Sequence, residues 1–197
     1  MSGRFGRVVT AMITPFNADG ALDLAEAARM ARWLQDQGNE GLVISGTTGE
    51  SSTLTDPERL SLFEAVIAAV TIPVIAGTGS NDTAHSVHLT KEATRLGAAG
   101  ILAVGPYYNR PSQAGIAAHI GAMAGATTLP VVVYDIPVRT GRKITSANLL
   151  TLARDHKNVV ALKDAAGNPG ETANVIANAP SGFEVYSGDD EIGRAHV

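Results

Sequence analysis

Seven short apolar runs punctuate the chain: "VVTAMIT", "GLVIS", "IPVIAG", "GILAVG", "PVVVYDI", "NVVALK" and "FEVYS". They are rich in β-branched residues and mostly continuous rather than alternating, the pattern of strands covered on both faces. They recur about every 30 residues, the length of one strand-plus-helix unit. The stretches between them carry helix punctuation. In "TDPERLSLFEAVIAAV", Thr55 is the expected N-cap, Pro57 falls in the first turn and Glu58 completes a capping box. In "DLAEAARMARWLQDQG", Asp23 and Glu26 make a similar pair, and Leu24, Ala27, Ala31 and Leu34 repeat at helical spacing. Gly38 then stands where a helix-ending glycine belongs.

Two internal echoes reinforce the idea of repeated units. "GNEGLVIS" and "GAAGILAV" both read Gly-x-x-Gly before an apolar strand, and "TIPVIA" and "TLPVVV" share a threonine–apolar–proline entry. With seven strand-like runs they favour an α/β barrel over an open doubly wound sheet, although periodicity by itself does not separate the two.

Composition narrows the function classes. The 197 residues, 45% of them hydrophobic, suffice for one large core, so a single domain is expected. A net charge of -4 without a basic cluster excludes nucleic acid and an anionic membrane surface as main partners. The absence of cysteine removes disulfide and thiolate chemistry and suits a cytoplasmic protein. No apolar run approaches the ~20 residues of a membrane span. The five histidines form no ligand cluster and no dinucleotide fingerprint opens the chain, so neither a metal nor a cofactor is expected.

Parallel α/β folds build their sites at the carboxyl ends of strands. After the successive runs come "GTTGES", "TGSND", "PYYNRPS" and "DIPVRTG", and Lys163 closes "NVVAL". Lys163 has two readings. It is a strand-end lysine reaching for solvent, or it is a Schiff-base nucleophile. An ordinary lysine has a pKa of ~10.4, so only about one in a few thousand is a free amine at neutral pH. Burial disfavours the ammonium, and the free amine can then attack a ketone to form an iminium, an electron sink for carbanion chemistry. Thr47 and Thr48 are either turn residues or hydroxyl and amide donors for a carboxylate. Tyr107, Tyr108 and Tyr134 are either packing or, with Thr47, a proton relay. Arg139 is either a surface charge or a clamp for a second carboxylate. Strand alternation turns Asp135 and Asp164 away from the Tyr134 and Lys163 face, which leaves them outside the catalytic set.

"TAMITPF", "GTTGES", "IAGTGSNDTA", "GPYYNRPSQAG", "YDIPVRTG", "ALKDAAGN" and "YSGDD" together resemble the dihydrodipicolinate synthase family, within the pyruvate-dependent class I aldolases, in order over residues 8–190. The resemblance implies a (β/α)8 TIM barrel and a lyase of the diaminopimelate route to lysine. Pyruvate would form an imine with Lys163 and attack L-aspartate-4-semialdehyde as its enamine, giving 4-hydroxy-tetrahydrodipicolinate without a separate cofactor. It further implies a relay of Tyr134, Thr47 and Tyr108, with Tyr108 reaching into a neighbouring subunit of a homotetramer arranged as a dimer of dimers. Substrate binding would fall to Thr48, Arg139 and Gly188. Lysine-inhibited members carry histidines and an acidic residue where this chain has Asp56, Arg59 and His85, so lysine feedback is not expected, although Ser51, Asn81 and Tyr107 are in place. The rival readings are another lysine-imine aldolase, of the N-acetylneuraminate lyase or 2-keto-3-deoxy sugar acid type, and a non-catalytic carboxylate-binding barrel.

The barrel is expected to be incomplete, with about seven of eight strands and no C-terminal helical region. A partial TIM-barrel domain is expected over residues 1–190. Residues 191–197, "EIGRAHV", read as a non-native tail, because "IGRAHV" and a stop are one translation frame of a common sequencing adapter. Unpaired strand edges would leave the truncated chain inactive.

Overall fold

Each of the seven apolar runs forms a strand, and helices occupy the intervals. The computed structural model describes residues 3–188; Asp189, Asp190 and the expected tail over 191–197 lie outside the described residues. The chain packs as two compact units, residues up to 78 with 89–102, and residues 79–88 with 103 onward.

In the first unit, β1 (Val9–Ala11), β2 (Gly41–Ile44) and β3 (Val74–Gly77) run parallel, and β4 (Gly100–Val104) begins beside β3. Helix α1 (Leu24–Asp36) starts at Asp23, whose Oδ1 accepts from the Glu26 N–H at 2.9 Å. It is followed by Gly38 in the left-handed region at φ 89°. Helix α2 (Asp56–Ala69) carries the expected capping box, with Glu58 Oε2 accepting from the Thr55 N–H at 2.8 Å. Such a cap contributes about 1 kcal/mol. Leu62, Phe63 and Val66 of α2 pack into the core with Leu42 and Ile44, and Arg59 is buried on the same helix face. Its guanidinium donates to Ser45 Oγ at 3.1 Å and to the Gly77 carbonyl at 2.6 Å. A Cβ at Gly77 would stand 2.2 Å from the Ser45 carbonyl oxygen, so glycine alone permits this approach of the β2 and β3 ends.

The second unit holds helix α4 (Gln113–Gly125), strand β5 (Val131–Asp135), helix α6 (Ser146–Asp155), strand β6 (Val159–Asp164), helix α7 (Pro169–Asn178) and strand β7 (Glu184–Ser187). Helix α3 (Thr83–Arg95) begins here. The core gathers Ile116, Ile120, Met123, Val131, Val133 and Leu162. The segment "PVRT" forms a one-turn helix, α5 (Pro137–Thr140). Pro137 presets its first dihedral and Gly141, at φ 70°, ends it.

Strand order settles what periodicity left open. The sheet runs β1 to β7 in chain order, without the reversal that defines a doubly wound sheet. Sequential parallel strands with intervening helices are the topology of a (β/α) barrel, with seven of its strands among the described residues. There, β1 and β7 each have one neighbour.

His119 on α4 is buried, with Nδ1 2.9 Å from Thr83 Oγ1 and no hydrogen-bond partner for Nε2 among the described residues. Burial lowers its pKa from the ordinary imidazole value, while the Asp82 carboxylate works the other way. The folded chain therefore binds this proton less readily than the unfolded chain. Its contribution to stability is complete above about pH 6.5 and is lost as pH falls below that. Urea unfolding between pH 8 and pH 5 should show a decline that H119Q reduces; an identical decline in H119Q would rule out this cause.

Candidate active site

Tyr134 and Lys163 stand opposite one another near the ends of β5 and β6, in direct register. Tyr134 is 4% exposed and Lys163 half-buried, with the Lys163 Nζ 4.3 Å from the centroid of the Tyr134 ring. A cation above an aromatic face is held by about 0.5–2 kcal/mol. On the other side, β7 pairs Tyr186 with Lys163, and Gly188 follows. A Cβ at Gly188 would lie 2.7 Å from Lys163 Cε and 3.0 Å from Cγ, so the lysine stem lies flat against bare backbone. The Gly188 N–H donates to the Asp164 carbonyl at 2.7 Å, fixing that backbone. Gly188, expected as a substrate contact, packs against the lysine stem.

Asp135 and Asp164, the next residues on each strand, face the opposite way, as alternation requires. Asp135 accepts from the Ile144 N–H at 3.0 Å, and Asp164 accepts from Thr172 Oγ1 at 2.5 Å.

Two further segments of this unit adjoin each other. Arg142 Nε donates to the Arg110 carbonyl at 3.3 Å, and a Cβ at Gly141 would meet Arg110 Cγ at 3.3 Å. The "PYYNRP" and "PVRTG" segments therefore touch, and Arg110, Arg139 and Arg142 concentrate positive charge there. Arg139 is exposed, and its guanidinium makes no hydrogen bond or ion pair among the described residues. Tyr107 is half-buried. Tyr108 has φ 69° and is 89% exposed, so its ring stands in solvent rather than against the Tyr134–Lys163 pair.

In the first unit, "GTTGES" turns sharply after β2, with Ser45 at φ 52° and Glu50 at φ 51°. Gly49 is buried beneath the turn, and its carbonyl accepts from Thr14 Oγ1 at 2.7 Å. Thr47 and Thr48 are exposed, and their N–H groups donate to nothing among the described residues. Two free amides and two hydroxyls suit an anion.

Two buried polar contacts escaped the sequence reading. The burial of Arg59 was detectable, because Arg59, Leu62, Phe63 and Val66 share one helix face. The contact of Lys143 with Asp135 and Glu171 leaves no periodic trace. A groove of about 440 Å³ beside β1 and α1, lined by Met30 and Trp33, gathers apolar side chains and belongs to no chemistry described above. Among the described residues, no three His, Cys, Asp or Glu side chains cluster as metal ligands, and no helix is long and apolar enough to cross a membrane.

The profile of the Dihydrodipicolinate synthetase family matches residues 4–197. A 4-hydroxy-tetrahydrodipicolinate synthase of Moorella thermoacetica is 51% identical over 191 residues, covering 96% of this chain and 65% of that protein. The chain thus spans less than two thirds of that curated relative. The crystal structure of a dihydrodipicolinate synthase from Bacillus anthracis superposes with a TM-score of 0.95 at 42% identity, covering 99% of this chain and 67% of the other. A Cyanidioschyzon merolae enzyme of the same name, solved with lysine bound, gives a TM-score of 0.95 at 43% identity, with 97% and 66% covered.

The geometry makes Gly188 a test of the lysine pocket. In G188A the new methyl should push the Lys163 stem off the Tyr134 ring, removing the ring-current shift of the lysine ε-protons seen by NMR. An unchanged shift would mean that the glycine does not hold the stem in place.

Proposed function

The chain belongs to the dihydrodipicolinate synthetase family, and from that premise we propose that it carries the imine-forming half of a pyruvate-dependent lyase. The observation that supports this most is the Lys163 amine held 4.3 Å from the centroid of the Tyr134 ring, at adjacent strand ends. In the proposed reaction, Lys163 Nζ attacks C2 of pyruvate and the carbinolamine loses water to give an iminium. Loss of a proton from C3 gives the enamine, which attacks the aldehyde carbon of L-aspartate-4-semialdehyde to form a new carbon–carbon bond. The semialdehyde's amine then adds to C2 and displaces Lys163, closing the ring of 4-hydroxy-tetrahydrodipicolinate and freeing the enzyme.

Each proton transfer needs a nearby hydroxyl. Tyr134 is assigned that task by its position, and Thr47 and Tyr108 by their motifs. The exposure of Tyr108 fits a role completed by a second copy of the chain, hence a homo-oligomer. Thr48, with Thr47, is assigned the pyruvate carboxylate and Arg139 the semialdehyde carboxylate.

Complete turnover is proposed for a protein of the relatives' length. The single-sided pairing of β1 and β7 leaves residues 1–197 without a closed barrel among the described residues. Purified residues 1–197 are therefore expected to give no turnover. Grafted in place of the matching segment of the Moorella thermoacetica relative, they should condense pyruvate with L-aspartate-4-semialdehyde in preference to N-acetylmannosamine or glyceraldehyde, and sediment as a dimer or larger. In that protein R139A should raise KM for the semialdehyde about tenfold or more. Preference for a sugar aldehyde would move the chain to another aldolase class.

A further inference from the structure

Asp135 and Asp164 turn away from the lysine face, yet at 3% and 6% exposure they are not solvated. Each closes the segment that leaves its strand. Asp164 accepts from the Ala166 N–H at 2.9 Å and from Thr172 Oγ1 in the first turn of α7. Asp135 accepts from the Ile144 N–H through Oδ1 and from Lys143 Nζ through Oδ2, both at 3.0 Å. Lys143 Nζ also lies 3.1 Å from Glu171 Oε2 on α7, and Glu171 accepts from Ser146 Oγ at the start of α6. Burial pushes the Asp135 carboxyl above the ordinary carboxylate value, while the Ile144 N–H and Lys143 pull it down. Burial works against the Lys143 ammonium, but its two carboxylate partners outweigh that and raise it. The two directions pull apart, because burial dominates at the carboxyl and the carboxylate partners dominate at the ammonium; the 3.0 Å contact and the second partner at Glu171 favour the charged pair.

Residues 136–143 thus leave β5 and are tied back to the residue they left. Inside the excursion, Thr140 Oγ1 donates to the Arg142 carbonyl at 2.7 Å and the Arg139 N–H to the Ile136 carbonyl at 2.9 Å. Arg139 sits at its middle. The Tyr134–Lys163 pair is held independently, by backbone pairing of the strands.

We propose that Lys143 is a positioning residue, which by bridging Asp135 and Glu171 fixes the segment that presents Arg139 to the carboxylate of the second substrate. The inference rests on the reading of Arg139 as a carboxylate-binding group. Lys143 is assigned no substrate contact, and its loss should weaken carboxylate binding while leaving imine formation intact.

The test uses the 197-residue chain. Phenylglyoxal modification of Arg139 is followed by mass spectrometry with succinate as the competing carboxylate, and borohydride trapping of pyruvate at Lys163 is measured in parallel. Succinate should protect Arg139 in the unaltered chain. In K143M the half-protecting concentration should rise about tenfold, the scale expected when a positioned group is displaced. The trapping rate should remain within about twofold, and K143R should restore protection. If K143M fails to fold, D135N, which keeps the hydrogen-bond acceptor and removes the charge, is read in the same way. An unchanged midpoint in the folded variant, or a K143R shift as large as that of K143M, would overturn the positioning role. Failure of succinate to protect the unaltered chain would instead overturn the reading of Arg139 and the inference with it.

Discussion

The lateral register of β6 on β5 is the constraint on which the lysine site depends. Val131 pairs with Val159, but Val132 pairs with Ala161, so β6 carries one extra residue at that step. Without this irregularity Tyr134 would face Leu162. With it, Tyr134 faces Lys163 and Asp135 faces Asp164. A one-residue slip in a sheet exchanges the faces of every side chain beyond it. Here that exchange would replace an amine-bearing pair by an apolar contact.

The same register sorts the polar groups by face. Tyr134 and Lys163 share one face, with the lysine stem confined between an aromatic ring and the backbone of Gly188. The two carboxylates on the other face accept from backbone amides and from the Lys143 and Thr172 side chains. Carboxylates placed beside the lysine would favour its ammonium form; turned away, they brace the connecting segments instead. The Tyr134–Lys163 pair and the carboxylates that brace the connecting segments are thus separated by one residue along each strand.

Much of this was legible in the chain. All seven strands coincide with apolar runs; β2 to β6 are largely buried, as strands covered on both faces need an uninterrupted hydrophobic stretch, while β1 and β7 are only half-buried. The caps at Asp23 and Thr55 were equally legible, since capping chemistry is local. Lys163 was identifiable as a polar residue ending an apolar strand. What stayed hidden depends on contacts between segments distant in sequence. Nothing in "NVVALK" announces the bulge that aligns Lys163 with Tyr134, and the spacing of Lys143 from Asp135 and Glu171 follows no helix or strand period. The motif has Tyr108 reaching into a neighbouring subunit, and within one chain its ring is exposed at φ 69°.

Covalent trapping of the Lys163 amine addresses the central claim most directly. The chain is incubated with pyruvate, reduced with borohydride, digested and analysed by mass spectrometry beside a K163R control. The account requires one reduced pyruvate adduct per chain, on the peptide containing Lys163 and absent from the control. An unmodified Lys163 peptide, or equal labelling in K163R, would contradict it.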